Sequence, residues 1–136
     1  MLINVDFDGT LVTMDHEDTL FRKIELEGLS LMDSSSVWDW YAKLVCIPLP
    51  LNMGLLRLLS RLKEEGHHLR LWTNRNYELV KPTKENLGPW SRLFDSFHFY
   101  NGRKKYSRVE GIVIDNDPVN LKCGEKGGVQ IPSFTL

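Results

Sequence analysis

The sequence predicts an α/β domain built on a parallel sheet with helices on both faces. Short apolar segments alternate along the chain with segments of helical periodicity, which is the pattern of such a fold. Residues 2–7 are mostly apolar, as expected for a strand that is buried on both faces. The length of 136 residues fits one domain and leaves little room for another, so residues 1–136 are expected to form a single domain.

An insertion over about residues 14–51 is expected after this first strand, which Gly9 ends. One short helix is expected to begin at the acidic run 15–18, because acidic side chains stabilise the first turn of a helix, and to end at Gly28. A second short helix is expected after the serines at 34–36, which are favourable capping residues.

The rest of the chain continues the alternation of helices and strands. Asn52 is expected to cap an amphipathic helix whose leucines face the core, and Gly66 is expected to end that helix. The remaining expected elements are, in order, a strand at 69–73, a weaker helix at 77–87 that Pro82 interrupts, a turn of helix at 91–94, and strands at 96–100, 111–115 and 129–131. In sheets of this kind, ligands bind at the carboxyl ends of the strands.

Composition and charge exclude several classes of protein. The chain has 17 Lys and Arg against 18 Asp and Glu, so its net charge of -1 argues against a general nucleic-acid coat or a basic membrane-surface protein. Cys46 and Cys123 are too few for a disulfide framework and are expected to be buried free thiols in a reducing compartment, with a single bridge between them as the alternative. No apolar run is long enough to span a bilayer and the first residues do not form a signal peptide, so a cytoplasmic protein is expected.

Acidic and amide side chains gather where two of the expected strands end. Asp6 and Asp8 follow the first strand two residues apart, and two carboxylates at one place repel unless a cation or a proton lies between them. Asp115 and Asn116 lie at the end of the fourth strand, at the same edge of the sheet as Asp6 and Asp8. Oxygen ligands at this density suit Mg2+, so a magnesium site is expected at this edge of the sheet.

Other polar residues nearby suit a phosphoryl group. Thr73, Asn74 and Arg75 follow the second strand and offer a hydroxyl, an amide and a cation to phosphoryl oxygens. Lys104 and Lys105 lie in a cationic loop before the fourth strand. A metal, a carboxylate able to attack, hydrogen-bond donors and a lysine are together the requirements of phosphoryl transfer through an aspartyl-phosphate.

These segments resemble the motifs of a known family. Residues 6–11, Asp-Phe-Asp-Gly-Thr-Leu, resemble the first motif of the haloacid dehalogenase superfamily in its phosphatase form. Thr73, a lysine of the pair 104–105, and residues 113–118 resemble the second, third and fourth motifs in that order. The resemblance covers almost the whole chain. It implies a three-layer, Rossmann-like core with strand order 5-4-1-2-3 and a minimal cap, or none, in the insertion at 14–51.

The resemblance also implies a role for each matching residue. Asp6 is then the nucleophile and a Mg2+ ligand. Asp8 is the general acid and afterwards the base, and its backbone carbonyl is a metal ligand. Thr73 binds the phosphoryl group, and a lysine screens the negative charge, with Lys105 preferred over Lys104.

The remaining site residues complete the metal and substrate contacts. In the fourth motif, the resemblance makes Asn116 a direct ligand of Mg2+ and Asp115 either a ligand or a neighbour of one. The other expected substrate-binding residues are Gly9, Thr10, Asn74 and Arg75, with a surface salt bridge as the alternative for Arg75.

The expected function is therefore hydrolysis of a phosphomonoester, and several alternatives stay open. The first choice of substrate is a small phosphorylated metabolite, such as a nucleotide or a sugar phosphate. Nucleic-acid or phosphoprotein ends are the alternative substrates, and phosphotransfer to an acceptor alcohol uses the same residues. A non-catalytic phosphate-binding module is the alternative outside enzymes. Aromatic residues of the insertion, Trp38, Trp40 and Tyr41, form either a small core or a surface that stacks on a substrate.

Overall fold

A computed structural model describes residues 1–13, 48–75, 77–99, 109–121 and 128–134. Several expectations fall outside these residues and stay predictions: the two helices of the insertion, its aromatic side chains, both cysteines, and the two candidate lysines, Lys104 and Lys105.

The described residues form alternating strands and helices, as predicted. In chain order the elements are β1 (Leu2–Asp6), α1 (Met53–Glu64), β2 (His68–Thr73), a 3-10 turn (Tyr77–Leu79), α2 (Val80–Leu87), a 3-10 segment (Gly88–Leu93), β3 (Ser96–Phe99), β4 (Ile112–Asp115), α3 (Pro118–Leu121) and β5 (Gly128–Gln130). Each of these strands begins and ends within one residue of its predicted bounds. The helix α3 was not predicted.

The five strands form one parallel sheet in the order β3-β2-β1-β4-β5. This is the expected order 5-4-1-2-3 listed from the opposite edge. β1 lies at the centre, with Asp6 opposite Trp72 of β2 and Val5 opposite Ile114 of β4. The chain moves outward from β1 through β2 to β3 and then returns to the other side of β1, so the strand order reverses beside β1. Ligands bind at such a point in open α/β sheets.

The main core lies between one face of the sheet and α1. Alternate residues of the strands point to this face because side chains alternate along a strand. The buried residues of this layer include Ile3, Val5, Leu69, Leu71 and Ile114 of the sheet and Leu55, Leu56 and Leu59 of α1. A smaller cluster contains Trp72 of β2, Val113 of β4 and Val109, which precedes β4, and Leu121 of α3 packs against it. Burying each large aliphatic side chain contributes about 1.5–3 kcal/mol to folding.

Both predicted ends of α1 are confirmed. The Asn52 side chain accepts a hydrogen bond of 3.2 Å from the Leu55 amide, which satisfies one of the donors left over at the start of the helix. At the other end, Gly66 has φ +94°, a left-handed conformation that glycine adopts without strain. The amides of Gly66 and His67 donate to the carbonyls of Lys63 and Leu62 and so satisfy two of the last carbonyls.

The prediction that Pro82 interrupts its helix is wrong. Pro82 lies in the first turn of α2, which begins at Val80. Amides of a first turn have no partner within the helix, so the missing N–H of proline costs nothing there. The residues before it, Tyr77–Leu79, form a 3-10 turn instead of the start of the α-helix. None of the described helices is both long enough and apolar enough to cross a membrane.

Candidate active site

A tight turn follows β1 and places the first motif. The Phe7 carbonyl accepts hydrogen bonds from the amides of Thr10, Leu11 and Val12 at 3.2, 2.9 and 3.2 Å. Gly9 has φ +81°, and its amide donates to the Val12 carbonyl at 2.8 Å. This reversal keeps the residues that follow Asp6 at the carboxyl edge of the sheet, instead of letting the chain leave it.

The turn holds the Asp6 carboxylate. Asp6 is 5% exposed, and its Oδ2 accepts a hydrogen bond of 2.9 Å from Oγ1 of the buried Thr10. The Thr10 carbonyl in turn accepts a hydrogen bond of 3.1 Å from Nδ2 of Asn52, the residue that caps α1. The orientation of Asp6 is therefore linked to the start of α1. Thr10, expected to bind substrate, contacts the candidate nucleophile.

Asn116 connects Asp6 to Asp115 on the neighbouring strand β4. One atom of its amide group lies 3.0 Å from Asp6 Oδ2, 3.1 Å from Asp115 Oδ1 and 3.2 Å from Thr10 Oγ1. The other amide atom lies 3.0 Å from Ser133 Oγ. The predicted convergence of these strand ends is thus present in the structure.

The contacts of this amide depend on which of its atoms faces Asp6. An asparagine amide can turn over within its site, which exchanges a donor for an acceptor. With Nδ2 in this position, Asn116 donates hydrogen bonds to both carboxylates. With Oδ1 there, the oxygens of Asn116, Asp6 and Asp115 meet at about 3 Å, and such a cluster requires a cation or a proton. Ser133 suits both arrangements, because a hydroxyl can donate or accept.

The residues present fit a magnesium ion in charge and in chemistry. Asp6, Asp8, Asp115 and Arg75 together carry three negative charges and one positive charge at this edge, which a divalent cation would balance. With Oδ1 of Asn116 facing Asp6, the oxygens lie about 3 Å apart, which matches the edge of an octahedron with metal–oxygen distances of about 2.1 Å, the geometry that Mg2+ demands.

The predicted ligand set does not consist of acidic side chains alone. Within the described part of the chain, no three His, Cys, Asp or Glu side chains form a metal-binding group. The Asp8 carboxylate faces Arg75, and Asn116 contributes an amide. Residues that would hold Mg2+ are therefore Asp6, Asn116 and Asp115 through their side chains and Asp8 through its backbone carbonyl. This ligand set stays a prediction.

Asp8 and Arg75 form a partly buried ion pair. Arg75 Nη2 donates to Asp8 Oδ1 at 2.7 Å, and Nε donates to Oδ2 at 2.9 Å and to Oδ1 at 3.2 Å. Nη1 donates to Thr83 Oγ1 of α2 at 3.0 Å, and the guanidinium carbon lies 4.5 Å from the centre of the Phe7 ring. The salt bridge considered for Arg75 is present, but the expectation that it lies at the surface is wrong, because the Arg75 side chain is only 1% exposed.

Thr73 and Asn74 lie at the end of β2, next to β1. Thr73 is buried, and its Oγ1 accepts a hydrogen bond of 3.1 Å from the Arg75 amide. A threonine hydroxyl that accepts this bond also has a proton to donate, as phosphoryl binding requires. Asn74 is exposed. Phosphoryl binding by Thr73 and substrate binding by Gly9, Asn74 and Arg75 stay predictions.

Three residues of the site were not predicted from the sequence. Asn52 was recognised only as a helix cap, although its side chain also binds the turn. Ser133 follows β5, and the rule that polar side chains gather where parallel strands end would have found it. Thr83 lies midway between Leu79 and Leu87, four residues from each, so it is a polar residue on a buried helix stripe.

A scan against protein-family models matches no family, and a search of curated proteins finds no similar sequence.

Proposed function

We propose that this chain is a Mg2+-dependent phosphomonoester hydrolase in which Asp6 carries the phosphoryl group between two steps. The observation that carries the proposal is the convergence of Asp6, Thr10, Asn116 and Asp115 within hydrogen-bond distance at the carboxyl ends of β1 and β4. It supports a site at which a buried carboxylate is oriented beside further oxygen ligands. The likeness to the motifs of the haloacid dehalogenase superfamily supports the same function.

In the first step, an oxygen of the Asp6 carboxylate attacks phosphorus while the bond to the leaving oxygen breaks. Asp8 must carry a proton for this step, although the ion pair with Arg75 favours its ionised form. It gives that proton to the leaving oxygen, so the product leaves as an alcohol. The Thr73 hydroxyl donates to a phosphoryl oxygen and helps to orient the group for in-line attack. Thr10 keeps the nucleophilic carboxylate in place through its hydrogen bond to Oδ2.

In the second step, water replaces Asp6 on phosphorus. Asp8, now ionised, takes a proton from the attacking water, and the bond between the Asp6 oxygen and phosphorus breaks. The products are inorganic phosphate and the original carboxylate, so atoms and protons balance over the two steps. Mg2+ held by Asp6, Asp8, Asp115 and Asn116 would neutralise negative charge on the carboxylates and the phosphoryl oxygens.

The proposed substrate is a small phosphorylated metabolite. The near-neutral net charge supports this choice over a polynucleotide, whose binding depends on an excess of positive charge. Phosphoprotein or polynucleotide ends stay alternatives that the same experiment distinguishes.

The testing experiment measures phosphate release from a panel of esters with and without Mg2+. The panel contains nucleotides, sugar phosphates, aryl phosphates, a phosphopeptide and 3′- and 5′-phosphorylated oligonucleotides. Asp6→Asn is the test variant because an amide is not a competent nucleophile. Asp95→Asn is the matched control. Asp95 directly precedes β3, at the amino ends of the strands and away from the candidate site, and it pairs there with Lys63.

We expect Mg2+-dependent turnover in the wild type and in Asp95→Asn, and a loss on the order of 10⁶-fold in Asp6→Asn. A phosphoryl adduct on the wild-type peptide that contains Asp6, sensitive to hydroxylamine, would support the covalent route. Turnover that survives in Asp6→Asn would contradict that route. A folded wild type that releases phosphate from no ester of the panel would favour the phosphate-binding module.

A further inference from the structure

The contact between Arg75 and Asp8 fixes more than the position of the carboxylate. Two nitrogens of the guanidinium donate to two oxygens of Asp8, with Nη2 to Oδ1 at 2.7 Å and Nε to Oδ2 at 2.9 Å. A planar fork of this kind sets the plane of the carboxylate as well as its place. A lysine ammonium, as a point charge on a flexible stem, would set only the place.

Arg75 is itself held from two further directions. Nη1 donates to Thr83 Oγ1 of α2 at 3.0 Å, and the guanidinium carbon lies 4.5 Å from the centre of the Phe7 ring. Thr83 is fully buried, and Phe7 belongs to the turn that follows β1. The guanidinium therefore joins the end of β2, the helix α2 and the turn after β1, and it has little freedom to change its orientation.

Exposure distinguishes the roles of the two partners. The Asp8 side chain is 13% exposed, whereas that of Arg75 is 1% exposed. A substrate that reaches this edge of the sheet meets Asp8, and Arg75 lies behind it. The exposures therefore favour an action of Arg75 through Asp8 over the direct contact with substrate that the sequence also predicted.

We propose that Arg75 is a positioning residue for Asp8 and that Thr83 positions Arg75. This proposal rests on the phosphatase function proposed above and deepens it. Asp8 must lie in line with the leaving oxygen to give it a proton as the phosphorus–oxygen bond breaks, and later with the water from which it takes one. Proton transfer by a positioned side chain contributes about 10²–10⁴-fold to a rate, and the fork supplies the positioning.

The dependence of the rate on the leaving group tests this role. An alkyl phosphate releases a strongly basic alkoxide, which needs the proton from Asp8. An aryl phosphate with an acidic phenol leaves readily without it. Poor placement of Asp8 must therefore slow alkyl esters much more than activated aryl esters, whereas general damage to the fold slows both.

The main variant is Arg75→Lys, which keeps the positive charge and removes the fork. We expect kcat/KM for alkyl phosphates to fall about 10²-fold and that for the most activated aryl phosphate to fall less than about tenfold. Arg61→Lys is the matched control, because Arg61 is exposed on α1. It should change neither value.

Thr83→Val is the second variant and keeps the proposal testable if Arg75→Lys does not fold. Valine keeps the size of the side chain and removes the acceptor of Nη1, while the ion pair stays intact. We expect a smaller change in the same direction, with alkyl esters slowed more than aryl esters. Circular dichroism and thermal unfolding show whether each variant is folded.

Two results overturn the positioning role. Both apply when the wild type hydrolyses phosphate esters. The positioning role is refuted if the folded variants Arg75→Lys and Thr83→Val slow the hydrolysis of alkyl and aryl esters by equal factors. It is also refuted if neither variant slows the hydrolysis of alkyl esters. A wild type that is inactive on every ester instead refutes the proposed hydrolase function, and the positioning role with it.

Discussion

The Thr10 hydroxyl donates a hydrogen bond of 2.9 Å to Oδ2 of Asp6, across the turn that follows β1. Both residues are buried, and the Thr10 carbonyl is bonded to Asn52 at the start of α1. A side chain four residues further along the chain therefore holds the candidate nucleophile. In the structure, the Thr10 hydroxyl therefore orients Asp6, and substrate binding by Thr10 stays a prediction.

Replacing Thr10 with valine should reduce both stability and turnover. The change keeps the shape of the side chain and removes the donor to a buried carboxylate, which costs about 1–3 kcal/mol. Thr10→Ser keeps the hydroxyl and is the matched control. Urea unfolding measures the first effect, and kcat at saturating substrate measures the second. Equal kcat values for the valine and serine variants would contradict an orienting role of this hydroxyl.

Replacing Asp8 with asparagine should slow the second step and let phosphorylated enzyme accumulate. An amide cannot take a proton from water, and general base help of this kind is worth about 10²–10⁴-fold. The first step suffers less with an aryl phosphate, so this substrate should give a burst of phenol equal to the enzyme concentration. Rapid mixing measures the burst, and mass spectrometry locates the adduct. Wild-type turnover in this variant would refute the proposed role of Asp8.

Magnesium should stabilise the folded protein through Asn116. A ligand at 100 times its dissociation constant stabilises the folded state by about 2.7 kcal/mol, so Mg2+ should raise the melting temperature of the wild type. Asn116→Ala should reduce or abolish this rise, because it removes the amide beside Asp6 and Asp115.

Asn86→Ala is the control for that experiment. Asn86 also forms side-chain hydrogen bonds to the backbone, at Leu49, but lies on α2 outside the proposed ligand set. It should lower the melting temperature and leave the response to Mg2+ intact. An equal Mg2+ response in Asn116→Ala and the wild type would remove Asn116 from the ligand set.

Some of this site follows from the sequence because its causes are local. The polar residues after β1 and β4 meet because parallel strands end at one edge of a sheet, so Asp6 and Asn116 could be placed together before any coordinates. The cap at Asn52 and the glycine at 66 follow from equally local rules.

Other contacts depend on side-chain directions that the sequence pattern does not contain. Asp8 and Arg75 are 67 residues apart, and a strand-end arginine suits a substrate as well as it suits a carboxylate. Only the structure shows that the guanidinium turns inward, toward Thr83 and the Phe7 ring. The error at Pro82 has a similar origin, because the tolerance of a helix for proline depends on which residue begins it.

His98 gives the protein a dependence of stability on pH that is separate from the candidate site. Its ring stacks on Trp72, with centroids 4.2 Å apart, and its Nε2 lies 2.8 Å from Ser96 Oγ. Partial burial lowers the pKa of His98 below its usual 6.5, and the positive charge of Arg70 lowers this pKa further.

The unfolded chain therefore binds a proton at His98 more readily than the folded protein does. As pH falls through 6.5 toward the lower pKa of the folded state, protonation favours unfolding, and the His98 contribution to stability is lost. His98→Gln removes the titrating group, so its stability should fall less than that of the wild type between neutral pH and about pH 5. Urea midpoints across this range measure the difference, and the ring resonances of His98 report its pKa directly. A pKa of His98 at or above 6.5, with equal pH slopes in the two proteins, would show that burial beside Trp72 does not disfavour the charged ring.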